Sequence, residues 1–145
     1  MIIYKAATKD IPSIAQMAVM MWNSHTVEDL FETFAEVVDG EEGAVFVAEA
    51  DDQPVGFAQC QLRHDYVEGT HSSPVGYLEG IFVMPQYRKR GYAKDLLTKC
   101  EQWAKSKGCS EFASDCELEN SVSLDFHLKL GFTEANRIIC FTKKL

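Results

Sequence analysis

Three things are scarce in this chain, and each shortage removes a class of protein. No apolar segment is long enough to read as a membrane span, and the first residues lack the basic-then-apolar pattern of a secretion signal, so the expectation is a cytoplasmic protein with no membrane partner. The five cysteines, Cys60, Cys100, Cys109, Cys116 and Cys140, are odd in number and never spaced CxxC, so neither a disulfide framework nor a zinc site is indicated and no metal is expected. Cys60, Cys100 and Cys140 lie in apolar patterns and read as small core residues, whereas Cys116 stands beside Asp115. Positive charge is the third shortage: 14 Lys and Arg against 22 Asp and Glu give a formal net charge of -8, the wrong sign for a nucleic-acid binder. There is no repeat, linker or low-complexity stretch either, and 145 residues read as one domain, 1–145, large enough to bury a core.

The positive charge that is present is concentrated. Arg88, Lys89, Arg90 and Lys94 surround Gly91, Tyr92 and Ala93, between an apolar run, Val75 to Met84, and an amphipathic stretch from Tyr92 to Lys107. A strand that ends in a basic, glycine-containing turn and opens into a helix gathers backbone N–H groups in one place, which suits a phosphate or pyrophosphate. The spacing is neither a Walker loop nor a Gly-x-Gly-x-x-Gly dinucleotide turn.

The rest of the chain reads as alternating elements. Ile2 to Ala7 predicts a strand. Asp10 and Pro12 open a helix to about Asn23 with Ile14, Met17, Ala18 and Met21 inward, and Thr26 with Asp29 caps a second carrying Leu30, Phe31, Phe34 and Val38. Ala44–Ala50 and Val55–Leu62 predict a hairpin across Asp51-Asp52-Gln53-Pro54, and 64–74 a loop long enough for a binding role. Glu111–Cys116 predicts a fifth strand, Asn120 to Leu130 a helix ended by Gly131, and Arg137–Lys143 a closing strand. The order predicts an α/β fold, a central mixed sheet with helices on both faces.

Within this frame a few residues point to chemistry. Gly80 interrupts an apolar strand, the usual mark of a bulge or a close backbone approach. Glu79 and Asp115 interrupt or close apolar strands where the two central strands should part. A carboxylate there meets water, a partner or a cationic ligand; a salt-bridged structural role is the plain alternative. Asn120 reads as a helix cap. His127 is either a proton donor near neutral pH or an ordinary helix residue. Trp22, at the end of its helix, reads by itself as core.

The phosphate turn resembles the acyl-CoA loop of the GCN5-related N-acetyltransferases (GNAT), Gln/Arg-x-x-Gly-x-Gly/Ala, matched by Arg88, Gly91 and Ala93, and the element order is similar over the whole chain. The resemblance implies acetyl-CoA as cosubstrate, contacted through the main chain of Ile81, Phe82 and Val83, through the turn Arg88, Lys89, Arg90, Gly91, Tyr92, Ala93 and Lys94, and through Asn120. It also implies a freed N–H that steadies the developing oxyanion. The chain departs from that pattern at His127, where most relatives carry a tyrosine that protonates the leaving thiolate.

Longer blocks are similar to the aminoglycoside 6′-N-acetyltransferases: Met21-Trp22 with His25, Arg63 to Val67, Ser72-Ser73-Pro74, Leu78 to Val83, and Ala113-Ser114-Asp115. This likeness implies an enzyme that acetylates the 6′-amine of these polycationic antibiotics by direct transfer, conferring resistance. Trp22, His25, Tyr66, Glu79, Asp115 and position 136 would line the acceptor site, Glu79 would take the proton through water, and His127 would stand in as the acid. Position 136, often acidic in that family, is Asn136 here, with Glu134 close by. The family implies a homodimer with C-terminal strands paired or exchanged, which the apolar Ile138–Phe141 permits. A polyamine or other small-amine acetyltransferase, and a non-catalytic acetyl-CoA sensor, share the same CoA features.

Overall fold

The computed structural model describes residues 1–145. β1 (Ile2–Lys5) leads through a short turn into α1 (Ile11–Met21), which has Pro12 in its first turn and buries Ile14, Met17 and Ala18. Asp10 precedes α1 without capping it; its carboxylate turns back to accept from the Ala7 N–H at 2.9 Å and the Tyr4 hydroxyl at 3.1 Å, fastening the helix start to β1. α2 (Val27–Asp39) opens on a reciprocal cap: Thr26 Oγ1 accepts from the Asp29 N–H at 3.1 Å, and the Asp29 carboxylate accepts from the Thr26 N–H at 3.4 Å. It buries Leu30 and Phe34 and leaves Phe31 exposed.

β2 (Gly43–Ala50) and β3 (Gln53–Arg63) form a hairpin across Asp51 and Asp52, whose φ values of 52° and 60° are those of a two-residue turn matched to strand twist. β4 (Val75–Val83) adds antiparallel to β3. The crossover α3 (Tyr92–Ser106) then returns the chain parallel to β4 in β5 (Phe112–Ala113), and α4 (Ser121–Lys129) follows. The sheet order is β1-β2-β3-β4-β5. The mixed sheet with helices on both faces is as expected.

The two faces have separate cores. α1 and α2 pack on Val45, Val47, Phe57 and Phe82; α3 packs on Ala58, Cys60 and Leu78 with Leu96, Leu97 and Cys100. Phe34 and Phe57 are fully buried, edge-on at 5.7 Å, and burying each such side chain contributes about 2–3 kcal/mol. Cys60 and Cys100 are core residues as expected, and the contact with Cys60, then burial, pushes the Cys100 thiol up.

Three expectations are corrected. The fifth strand is two residues long, because β5 pairs with β4 only at Gly76–Phe112 and Tyr77–Ala113 and then diverges. No closing strand forms over 137–143: this segment has no main-chain partner, and Ile138, Ile139 and Phe141 are exposed by 68%, 81% and 88%. A strand exists only by pairing, and no main-chain hydrogen bond joins this segment to any edge of the sheet. Cys140, within it, is exposed rather than core.

Candidate functional site

The basic turn is built as an anion cradle. Lys89 (φ 61°) and Gly91 (φ 89°) both take left-handed backbone, and Gly91 is the N-cap of α3. None of the backbone N–H groups from Lys89 to Lys94 has a main-chain acceptor, so they converge at a helix N-terminus with their donors free. Arg88 supports the turn: its Nε donates to the Val83 carbonyl at 2.7 Å and its guanidinium lies over the Phe82 ring. Arg90 lies over the ring of Tyr87. Tyr92 is buried in the α3 core, so only its main chain faces the turn.

The turn is the exit of a strand with one free edge. The β3–β4 register slips between Gln59 and Cys60, which pair with Gly80 and Leu78, so Glu79 is the extra residue of a β-bulge. The bulge shifts the alternation: Val75 and Tyr77 before it and Gly80 and Phe82 after it oppose the same face of β3, that of Phe57, Gln59, Gln61 and Arg63. Past Tyr77 nothing pairs with the outer edge of β4, leaving the main chain of Ile81, Phe82 and Val83 without a strand on that side. An extended, amide-bearing ligand with a pyrophosphate end fits both features, and this is the shape of acetyl-CoA.

The other end of the free edge carries charge. Arg63 Nε and Nη2 donate to Glu79 Oε1, and Nη2 also donates to Oε2, all at 3.0 Å. The same guanidinium lies 3.5 Å from the centroid of the Tyr77 ring. The Tyr77 hydroxyl donates to Asp115 Oδ2, and burial, then the bond to Asp115, pushes the Tyr77 phenol well above its usual range, so it remains a donor. Trp22 stands over Gly80 and stacks on Phe34, at the edge of the core beside the bulge.

A cavity of about 960 Å³ opens beyond Asp115, lined by Arg63, Tyr66, Tyr77, His127 and Asn136 among others. His127 Nδ1 donates to the Ser123 carbonyl at 2.7 Å, and its Nε2 lies 2.8 Å from Ser114 Oγ. Asn136 Nδ2 donates to Glu68 Oε1 at 3.0 Å, bringing a carboxylate to the rim near position 136. Glu134 is paired instead with Arg137, which holds its carboxyl below the usual range.

Among the expected acceptor residues, Tyr66, Asp115 and Asn136 share this cavity with His127, the expected acid, and Glu79 joins through Arg63. Trp22 lies on the far side of the bulge, and His25 sits in the turn after it, its N–H donating to the Trp22 carbonyl at 3.1 Å. Asn120 caps α4, its Oδ1 accepting from the Ser123 N–H at 3.1 Å. Arg63 and Tyr77 were not assigned from the sequence. Tyr77 is hidden in an apolar run, and Arg63 is linked to Glu79 only by strand register.

The comparisons with known proteins follow the same lines. Residues 10–132 match the acetyltransferase (GNAT) family. The aminoglycoside N(6′)-acetyltransferase type 1 of Salmonella typhimurium LT2 is 43% identical over 124 residues, covering 86% of each chain. Its counterpart from Stenotrophomonas maltophilia is 40% identical over 144 residues, covering 99% of this chain and 93% of that one. The solved structure of AAC(6′)-Iy in complex with a CoA-linked acetylneamine bisubstrate analogue superposes with a TM-score of 0.95 at 38% identity, covering 99% of this chain and 98% of the other.

Proposed function

The chain belongs to the acetyltransferase (GNAT) family, among the aminoglycoside 6′-N-acetyltransferases, and on that premise we propose that it moves an acetyl group from acetyl-CoA directly to the 6′-amine of an aminoglycoside, conferring resistance. The observation that carries this reading is the parting of β4 from β5 after Tyr77 and Ala113. It leaves a free strand edge with an N–H cradle at one end and two carboxylates at the other.

Acetyl-CoA supplies the activated acetyl thioester. The free N–H groups of residues 89–94 hold its pyrophosphate, with Lys89, Arg90 and Lys94 adding charge, and the β4 edge from Ile81 to Val83 holds its amide arm. A freed main-chain N–H beside the bulge faces the charge that builds on the carbonyl oxygen, a contribution worth about 3–4 kcal/mol when such a donor is well placed. Glu79 and Asp115 meet the acceptor's ammonium groups, Trp22 and Tyr66 offer faces to its sugar rings, and Glu68 adds a carboxylate at the rim. Glu79 takes the proton from the reacting amine through a water. His127, bonded to Ser114 at the point where the strands part, returns a proton to the leaving thiolate.

The working unit in this reading is a cytoplasmic homodimer of one acetyltransferase domain, 1–145. Support comes from 137–143, an apolar segment with no main-chain partner, and from α4, which buries no residue of its own. A second copy offers the missing edge.

The test is CoA thiol release with a 6′-amine aminoglycoside, its 6′-hydroxyl counterpart, spermidine and a lysine peptide. Turnover with the 6′-amine compound alone is expected. Turnover only with spermidine or the peptide would move the substrate to another amine class.

A further inference from the structure

This inference rests on the reading above and concerns how the acceptor amine gives up its proton. A carboxylate beside an ammonium stabilises the charged form, yet acetyl transfer needs the neutral amine. Glu79 and Asp115 by themselves would surround the amine with negative charge and hold the proton in place. The structure puts a compensating charge there. Arg63 is bound to both oxygens of Glu79, and Tyr77, beneath its guanidinium, is bound to Asp115. Two carboxylates and one guanidinium then form a single contacting set, with one net negative charge instead of two.

We propose that Arg63 is a positioning residue that tunes the acceptor: it holds Glu79 aimed, and as a fixed positive charge it favours the neutral form of the amine bound there. The choice of side chain matters. A guanidinium does not lose its proton in proteins, so its charge is present at every pH at which the enzyme works. It is also held twice, by the carboxylate and by the face of Tyr77, so it stays in place if Glu79 shifts to meet the substrate. The hydroxyl of Tyr77 orients Asp115 without neutralising it. Arg63 therefore opposes only part of the attraction on which cation binding depends.

The titratable groups around this spot are Tyr77 and Glu79 on β4, Asp115 and Cys116 beyond β5, Tyr66 and Glu68 on the 64–74 loop, and His127 on α4, with His25 in the α1–α2 turn. Of these, the histidines ordinarily titrate near neutrality, as a depressed amine would. The experiment separates them by using two acceptors whose free amines differ in basicity. The limb of the kcat–pH profile that moves with the acceptor belongs to the amine.

Profiles are compared for the parent enzyme, Arg63→Lys, Arg63→Gln and Arg63→Met. Met is included because it keeps apolar packing on Tyr77. Loss of the charge is expected to move the amine limb up by about one pH unit, so kcat at neutral pH falls about tenfold. The acceptor KM should stay level or fall, the acetyl-CoA KM should not change, and Arg63→Lys should restore the limb. A readout independent of turnover is the proton uptake when acceptor binds without acetyl-CoA, measured by calorimetry in two buffers of different ionisation enthalpy. Uptake at mildly alkaline pH should be larger for Arg63→Gln and Arg63→Met than for the parent. A limb that stays in place, or a rise in acceptor KM with equal proton uptake, overturns the proposal and leaves Arg63 a structural clamp. If the parent enzyme turns over no amine, the functional reading fails instead, and the proton uptake still reports on Arg63.

Discussion

The indole of Trp22 lies against Gly80 so closely that a Cβ at residue 80 would fall 2.6 Å from Cζ2 and 2.7 Å from Cη2 of the ring. The ring has little room to yield, since it stacks on Phe34 at 6.4 Å and meets Phe57 edge-on. Gly80→Ala should therefore cost about 1–3 kcal/mol of stability and tilt the indole that the proposed function sets against a sugar ring of the acceptor. The expected kinetic result is a raised acceptor KM with the acetyl-CoA KM little changed. Thermal unfolding and initial rates with each substrate varied in turn check both parts.

Gly91 poses the opposite case. A Cβ there meets nothing within 4 Å, so the only penalty for Gly91→Ala is the left-handed φ of 89°. That penalty is about 1 kcal/mol, and relief of it would rotate the N–H groups that face the phosphate. A several-fold rise in the acetyl-CoA Kd, with acceptor binding unchanged, is the expected outcome by titration calorimetry.

Glu79 and Asp115 should differ in kind. Glu79→Gln removes the proton acceptor and should lower kcat by about 10²-fold or more. Asp115→Asn keeps an acceptor for the Tyr77 hydroxyl and loses only charge, so its main effect should be a raised acceptor KM. Steady-state kinetics over a range of acceptor concentrations separate the two.

Phenol ionisation gives a pH test. Burial, then the bond to Asp10, pushes Tyr4 from 10.0 up to about 12. Tyr77 is raised in the same direction by burial and by Asp115. In both, the native state favours the protonated form. The stabilisation is therefore complete below the ordinary tyrosine pKa and is lost as pH rises through the folded values. Both should ionise late, above the ordinary phenol range, in a phenolate-absorbance titration, and Asp115→Asn should bring one of those late transitions down.

Deleting 137–145 should leave the sheet intact, since this segment makes no main-chain hydrogen bond to it. If the working unit is a dimer joined through this segment, the truncated chain should sediment as a monomer while the full chain sediments as a dimer. Equal mass for both would remove the segment from the assembly.

The parts of this protein determined by the sequence alone are those whose causes are local. The Thr26–Asp29 cap, the Asp51–Asp52 turn and the strand–turn–helix around Gly91 depend on neighbours a few residues apart. Each formed close to where the pattern put it. Tertiary structure decided what depends on pairing. Arg63 reaches Glu79 because β3 lies antiparallel beside β4 with Arg63 opposite Val75, and Tyr77 reaches Asp115 because α3 returns the chain parallel to β4. The closing strand failed for the same reason. The residues 137–143 have the side chains of a strand, but a strand is a relation between two stretches of chain, and no second stretch of this chain pairs with them.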